Sequence, residues 1–339
     1  MVSNKDDPGP RSFQLTPPIS TTGTRRSLLS GLVSSVPFFG SRVNAETSVP
    51  TQQKNGLGPL ADLVGTWTGE QGINIVAVPS RRSNPSDFGK FELIVRPYRE
   101  TLTITPIEGP VRNRGGNLDQ FVGAVAYEQT VTATDHHPET IHVENGMLFY
   151  LEDIQNYSDG SPVLTKEETP LYSVARSASI PHGNSALLLG THRKYRGPPS
   201  IHYISALPPN IGSKAPPEFV RPYYRPLNIA NPNEYLQRAV SAQTILETTQ
   251  FSMDSRNSGI VSNVPFLTSR ADTTGFQCDF WLERVQQQDT AARKSSLQLQ
   301  YSQVIDIDFH KPIVSSPDED DGSLIRWPHV TVNTLVKQE

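Results

Sequence analysis

The sequence predicts an all-β protein: an antiparallel β-barrel with extra strands and one short helix. Three observations lead to this fold class. The 339 residues include 29 Pro and 23 Gly, which favours short strands and many turns over long helices. From about residue 57 onward, polarity alternates with the period of two that is typical of antiparallel strands. A meander of many such strands loses its exposed edges if it closes, and barrels of this size enclose one small apolar ligand.

The predicted strands are short runs of alternating polarity bounded by Pro, Gly or Asn. They cover the ranges 74–78, 90–95, 101–106, 121–131, 140–151, 171–180, 186–191, 200–206, 243–252, 275–285, 296–309 and 327–336. Residues 96–99 contain Pro97 and are predicted to form a turn between two of these strands. One short helix is predicted over 232–241, because Asn231 is a good N-cap and Glu234 follows three residues later.

The chain divides into two parts by composition. Residues 1–45 are rich in Ser, Thr, Gly and Pro and show no lasting periodicity, which predicts a disordered or targeting segment. Residues 46–339 are predicted to form a single elaborated barrel domain, with a Pro-rich insertion around 207–230.

A targeting signal is one interpretation of the first segment. Arg25 and Arg26 precede a mildly apolar stretch over 28–39, and residues 43–45 resemble a small-residue cleavage site. This pattern is typical of twin-arginine export or of delivery to an organelle lumen; the alternative is a cytoplasmic protein with a disordered tail. The stretch is shorter than the ~20 residues needed to cross a bilayer, so no membrane span is predicted.

Charge and motifs exclude several function classes. With 30 Lys+Arg against 34 Asp+Glu and no basic run, no nucleic-acid partner is predicted. The single Cys278 excludes an intrachain disulfide and a Cys-x-x-Cys zinc site. No phosphate-binding loop or nucleophile elbow occurs. The residues left to carry chemistry are mainly the eight histidines.

His329 lies on the last predicted strand, which is rich in Val and Leu. Period-two alternation puts Trp327, His329 and Thr331 on one face of the strand and Val330 and Val332 on the other, so we expect burial on both faces. A buried histidine of this kind is either a hydrogen-bonded core residue or a ligand aimed into a cavity.

Four other residues are candidates for a site. His182, between Pro181 and Gly183, is expected in a sharp turn, where its ring crosses a barrel mouth or caps backbone carbonyls. His142 and Glu144 share a strand face, which suggests an orienting hydrogen bond or, with His136 and His137, a divalent metal site. Two further candidates have a structural and a ligand-binding interpretation each: Arg176, which pairs with a carboxylate such as Glu144 or with an anionic ligand group, and Trp67, which is a core residue or a ligand contact.

Four segments carry a resemblance to known proteins. They begin at Leu63 (LVGTWTGE), Ile141 (IHVENG), Ser179 (SIPHG) and Trp327 (WPHVTVNTL). Together they resemble a haem-binding-like family of bacteria and fungi and, more distantly, the nitrobindins, which are lipocalin-like barrels of the calycin type that hold haem. The first segment, from Gly65 to Gly72, has one residue more than the nitrobindin pattern.

The resemblance implies a haem-binding function. It makes His329 the axial ligand of ferric haem iron, His182 a distal and catalytic residue, and Trp67, Arg176 and His142 further cofactor contacts. The implied activity is directed at nitric oxide, peroxynitrite or peroxide, as in a peroxynitrite isomerase or a peroxidase. The alternative is a haem-free carrier or enzyme for a hydrophobic small molecule such as a lipid or terpenoid, with His182 or Tyr127 as acid or base.

Overall fold

Ten antiparallel strands close into a barrel. The computed structural model describes residues 56–79, 91–109, 111–115, 118–135, 138–151, 154–158, 161–163, 171–209, 227–287, 294–310 and 324–338. The strands in these ranges are β1 (Gly65–Pro79), β2 (Phe91–Pro106), β3 (Val111–Gly115), β4 (Leu118–Ala133), β5 (Thr140–Tyr150), β6 (Ile154–Ser158), β7 (Ser161–Val163), β8 (Val174–Ile180), β9 (Asn184–Arg196), β10 (Ile245–Asp254), β11 (Ile260–Asn263), β12 (Ala271–Gln286), β13 (Ser295–His310) and β14 (Leu324–Lys337). The described helices are a 3₁₀ helix (Gly58–Leu63), α1 (Asn233–Ser241) and the single turn α2 (Pro265–Thr268).

The strand order around the barrel is β2, β1, β14, β13, β12, β10, β9, β8, β5 and β4, and the pairing of β4 with β2 closes the ring. The neighbours pair antiparallel. The short strands β3 and β6 pair with β4, β7 pairs with β6, and β11 pairs with β9. The predicted all-β antiparallel barrel with extra strands is therefore confirmed.

Side chains fill one end of the barrel interior. The 3₁₀ helix packs there through Leu60 and Leu63 against a buried cluster that includes Trp67, Leu102, Leu188, Phe251 and Leu299. Only about 10 Å³ of space is left in the slit among these side chains. That is at the lower limit for a single water molecule, so this end of the barrel is a packed core rather than a binding site.

A second cluster covers the outer wall of the barrel. Ile75 of β1, Val330 of β14 and Trp281 of β12 are completely buried there, under residues 204–207, 227–229 and α1. Leu236 is the α1 side chain in this cluster. This cover explains why β14 carries apolar residues on both faces, as the sequence predicts: one face meets the barrel interior and the other meets the cover.

One turn prediction and one strand prediction are wrong. Residues 96–99 do not turn: they continue β2, where Pro97 lies opposite Ile73 and Tyr98 opposite Ala133. Because β2 pairs on both sides, its ladder carries the chain through the proline. Residues 200–206 form no strand and instead run across the outer wall, where the Ala206 N–H donates to the Ile229 carbonyl.

The predicted helix is present but begins one residue later than its cap suggested. Pro232 is the N-cap residue and makes no side-chain capping bond. Asn231 instead uses its Oδ1 to accept a hydrogen bond from the Ile204 N–H, at 3.4 Å, which ties the helix entry to the preceding loop. The 3₁₀ helix and α2 are additional to the helix that the sequence predicts.

β1 contains a β-bulge between Gly69 and Gly72. Gly69 pairs with Glu100 and Gly72 pairs with Tyr98, so β1 uses one residue more than β2 over this interval. Gly72 suits the position because the Tyr98 ring lies where a Cβ would be, with Tyr98 Cε2 2.1 Å away. The bulge lets β1 keep its inward pattern on both sides of the insertion.

Some predictions fall outside the described residues. These are the targeting segment 1–45, most of the Pro-rich insertion, and His136 and His137. Within the described ranges, no helix combines the length and apolar character required to cross a membrane.

Candidate functional site

An apolar cavity of about 400 Å³ lies inside the barrel, at the end opposite to the packed core. The late residues of β1 and β13 and the early residues of β2, β5 and β12 form its wall, and they all lie at this end because neighbouring strands run antiparallel. The apolar lining includes Val76, Ile94, Ile141, Phe276, Ile305 and Phe309. A volume of this size falls within the range of roughly 300–1,000 Å³ for small-molecule pockets.

Three histidines converge on this cavity. They are His142 of β5, His182 in the turn between β8 and β9, and His329 of β14. The centroids of the His142 and His182 rings are 5.6 Å apart. His142 and His182 are close because β5 pairs with β8, whereas His329 of β14 approaches from across the barrel interior.

His329 is held by a hydrogen bond to a neighbouring strand. Its Nε2 lies 2.6 Å from Oδ1 of Asn74 on β1, and the Thr331 hydroxyl donates to the same oxygen at 3.3 Å. Because an amide oxygen is only an acceptor, Nε2 carries the proton and the lone pair is on Nδ1. Burial, together with the charges of His142 and His182, lowers the pKa of His329 to about 4. The ring is therefore neutral at physiological pH.

His182 lies in the turn predicted from its Pro and Gly neighbours. Residues 181–183 form the turn, Gly183 has a φ of 103°, and the Gly183 N–H donates to the Ile180 carbonyl. The glycine is needed for this left-handed conformation. Partial burial and the nearby His142 lower the pKa of His182, which favours a neutral ring at the cavity wall.

A buried ion pair lies beneath the histidines. Glu144 Oε1 accepts from Arg176 Nη2 at 2.6 Å and from the Tyr127 hydroxyl at 2.5 Å, while Glu144 Oε2 lies 3.2 Å from His142 Nε2. Burial alone would raise the pKa of Glu144, but the Arg176 charge and these hydrogen bonds lower it to about 2. Glu144 is thus a carboxylate that orients His142, as the shared strand face predicts.

Arg176 has a partner at each of its nitrogens. Nε donates to the Tyr127 hydroxyl at 3.1 Å, Nη1 donates to Gln303 Oε1 at 2.9 Å and to Cys278 Sγ at 3.0 Å, and Nη2 binds Glu144. The predicted pairing of Arg176 with Glu144 is confirmed. Each guanidinium nitrogen thus has a partner, and Arg176 lines the slit of the packed core.

A second buried network adjoins the first. Glu100 Oε2 accepts from the Tyr301 hydroxyl at 2.6 Å and from Asn333 Nδ2 at 2.8 Å, and Glu100 Oε1 accepts from Gln129 Nε2 at 2.7 Å. The Tyr98 and Tyr301 hydroxyls lie 2.7 Å apart. Burial raises the pKa of Glu100, although these hydrogen bonds act in the opposite direction.

A small polar pocket of about 60 Å³ lies between the main cavity and these two networks. It shares His142, His182 and His329 with the cavity wall, and Gln129, Glu144, Gln303 and Thr331 complete its lining. The barrel interior therefore changes along its axis from an apolar cavity, through a polar layer, to a packed core.

The structure places His142, His182 and His329 on one cavity wall and pairs Arg176 with Glu144, next to His142. It does not bring Trp67 to the cavity: this ring is buried in the packed core, where its Nε1 donates to the Leu63 carbonyl at 2.7 Å. Tyr127 also lies below the cavity, in the slit of the packed core. Among the described residues, no group of three or more His, Cys, Asp or Glu side chains is arranged to hold a metal ion.

Sequence reasoning missed Asn74, Gln129 and Gln303. The sequence did contain one indication of each. Each is a polar residue on the inward face of a strand, and the other residues of that face are mostly apolar. Asn74 points inward, because its sequence neighbours Ile73 and Ile75 face the outer cover. Its pairing with His329 depends on strand register, which the sequence does not show.

Comparison with solved structures gives matches at low sequence identity. No protein-family model matches the sequence, and no curated protein matches it. The crystal structure of Rv2717c from M. tuberculosis is similar to this chain with a TM-score of 0.38 and 13% sequence identity, over 84% of this chain and 98% of that chain. At this identity and TM-score, the similarity bears on neither ligand nor activity.

Proposed function

We propose that the cavity binds a hydrophobic small molecule and that this molecule is haem, held through His329. The observation that carries the proposal is a neutral imidazole in the wall of an apolar cavity of about 400 Å³. Haem requires these two features: an apolar enclosure for the porphyrin and an uncharged nitrogen for the iron.

The donor set fits this cofactor. A metal-binding histidine usually donates its other ring N–H to a carbonyl, a carboxylate or water, which fixes the tautomer. Asn74 Oδ1 is such an acceptor, and its bond to Nε2 leaves the Nδ1 lone pair of His329 for the iron. The hydroxyl of Thr331 in turn fixes the amide of Asn74. When bound, haem would supply the iron chemistry toward nitric oxide, peroxynitrite or peroxide.

The other two histidines have roles that follow from their contacts. His142 is oriented by the Glu144 carboxylate, which accepts a hydrogen bond from its Nε2–H. His182, in the adjacent turn, is a neutral donor and acceptor at the cavity wall. We propose that His182 donates a hydrogen bond to a small molecule bound in the cavity and that the His142–Glu144 pair holds or releases a proton beside it.

Titration of the full chain with hemin, followed by absorbance, tests the proposal. We expect a Soret shift that saturates at one equivalent and is lost in His329→Ala. His202→Ala is the matched control, because His202 lies outside the cavity, against Asp279 and Trp281 on the outer wall. His182→Ala should keep the hemin band and change the rate of nitric oxide binding. An unchanged titration in His329→Ala contradicts the axial role, and no shift in the wild type excludes haem.

A second candidate is a haem-free carrier of a lipid or terpenoid-like molecule. The observation that favours it is the lining, because apolar residues dominate the cavity wall and a few polar groups lie at one end, as in pockets for organic ligands. A neutral dye such as Nile red should then bind with a stoichiometry of one to one, and added hemin should not change its affinity. Excess hemin that fails to displace the dye, together with no Soret shift, would favour this candidate over haem.

A further inference from the structure

The small polar pocket beside the cavity contains an unsatisfied acceptor. Gln129 is 4% exposed, and its Oε1 has no hydrogen-bond partner. The amide orientation is set by the other end of the group, because Nε2 donates to Glu100 Oε1 at 2.7 Å and to the Tyr301 hydroxyl at 3.3 Å. The oxygen therefore cannot exchange places with the nitrogen without breaking the Glu100 network. A buried acceptor of this kind requires a donor from elsewhere.

No neighbouring side chain donates to this oxygen. The Arg176 nitrogens are all engaged, and the Tyr127 hydroxyl donates to Glu144. On the core side, Gln129 borders the slit of about 10 Å³, which is too small for a ligand group. On the other side it borders the pocket of about 60 Å³, which has room for a few non-hydrogen atoms. A donor has to approach from the pocket side, and because Oε1 itself is covered, a small movement of the Gln129 side chain has to accompany binding.

The charges at this position favour a neutral group. Glu144 is a carboxylate in the pocket wall, and the cation opposite it, Arg176, is already paired with it. A ligand carboxylate at the pocket would meet a like charge without a new partner, whereas a hydroxyl would meet an acceptor.

We propose that the pocket is a subsite for the hydroxyl end of an amphipathic ligand, with Gln129 Oε1 accepting the hydroxyl proton and the apolar body of the ligand in the cavity above. The shared wall residues His142, His182 and His329 make the two spaces continuous, so one molecule can occupy both. This inference rests on the haem-free candidate of the proposed function, in which the cavity binds a hydrophobic small molecule. It assigns the class of ligand: uncharged alcohols rather than fatty acids.

Displacement of Nile red from the full chain by three ligands of matched chain length tests the subsite. The ligands are 1-decanol, decyl methyl ether, which lacks the donor, and decanoic acid. We expect 1-decanol to bind about tenfold more tightly than the ether and the acid. In Gln129→Met the affinity for 1-decanol should fall to that for the ether, and the affinity for the ether should not change. Gln298→Met, a buried glutamine on the outer wall, is the matched control and should keep the preference.

The outcomes separate the two proposals. If Nile red does not bind, or if none of the three ligands displaces it, the haem-free candidate and the hydroxyl subsite both fall. If the alcohol and the ether bind equally to the wild type, the apolar site stands and the hydroxyl subsite is overturned. The wild-type comparison needs no variant, so it decides the matter even if Gln129→Met does not fold. A preference for the alcohol that persists in folded Gln129→Met would also overturn the role of Gln129.

Discussion

Arg176 of β8 and Glu144 of β5 form an ion pair inside the barrel, with 2.6 Å between Nη2 and Oε1 and only 2% of each side chain exposed. The pair lies between the slit of the packed core and the small polar pocket. Its two members also position the groups above them, because Glu144 orients His142 and Arg176 binds Gln303. The ion pair therefore links the stability of the barrel to the geometry of the site.

Removing one partner of this pair should be strongly destabilising. Arg176→Met leaves a carboxylate buried without its cation, and we expect a loss of about 3–5 kcal/mol in the free energy of unfolding. The measurement is urea unfolding followed by circular dichroism. Arg326→Met is the control, because Arg326 pairs with Asp308 at the surface with 47% of its side chain exposed, and should cost no more than about 1 kcal/mol. Equal losses in the two variants would contradict the structural role of Arg176.

His329 should make the protein sensitive to acid. Its pKa is about 4 in the folded state against an ordinary value of 6.5, so between these values the unfolded chain binds more protons than the folded chain. The contribution to stability that depends on a neutral His329 ring is complete above pH 6.5 and is lost as the pH falls to about 4. Between pH 7 and pH 4.5, we expect the free energy of unfolding of His329→Gln to fall by about 1–3 kcal/mol less than that of the wild type. Parallel pH profiles of urea unfolding would argue against a buried neutral His329.

The same residue sets the pH range of hemin binding. If His329 is the axial ligand, hemin competes with a proton only below pH 5, because the imidazole remains neutral down to a pKa of about 4. The Soret titration should therefore give nearly the same affinity at pH 7 and pH 5.5. A tenfold loss over that range would indicate a histidine with an ordinary pKa and would point to a different ligand.

Glu283 should have the opposite pH effect. It is fully buried on the outer wall, where Gln298 donates to its Oε2 at 2.6 Å and its Oε1 has no partner. Burial raises its pKa from 4.5 to about 8, although the Gln298 bond opposes the shift. The folded chain thus binds more protons than the unfolded chain between these values, and stability is lost as the pH rises from 4.5 to 8.

The variant Glu283→Gln tests this effect because it keeps the shape of the side chain and cannot ionise. We expect the variant to be more stable than the wild type at pH 8.5, by a few kcal/mol at most, and to show no advantage at pH 4.5. Thermal unfolding at the two pH values measures the difference. A variant that is equally stable, or less stable, at pH 8.5 would show that the pKa of Glu283 is not raised in the folded protein.

Gly72 in the β1 bulge should resist substitution. A Cβ at this position would lie 2.1 Å from Tyr98 Cε2, and Tyr98 cannot move without disturbing its bond to Tyr301. We expect Gly72→Ala to cost about 1–3 kcal/mol. Gly56→Ala is the control, because no atom lies within 4 Å of the position of its Cβ, and it should change stability by less than about 0.5 kcal/mol. Similar unfolding midpoints for the two variants would contradict this packing.

Local features of the sequence account for most of the fold. Alternation of polarity predicted a strand within each of the ten barrel strands. The turn at His182 followed from its Pro and Gly neighbours. The errors lie where tertiary contacts override local signals. The two-sided ladder of β2 carries Pro97 within a strand, and the outer cover holds residues 200–206 outside the sheet.

The sequence by itself determined the class of the fold, the residues that point inward, and the orienting contact between His142 and Glu144, which are two residues apart on one strand. Strand geometry makes these properties local, because side chains alternate with every residue. Only the tertiary structure decided the cavity and its partners. Asn74 and His329 are 255 residues apart and meet because β1 pairs with β14 when the barrel closes. Closure and register also bring Gln129 beside Glu100 and Glu144, because the pairing of strands depends on the whole ring rather than on any one segment.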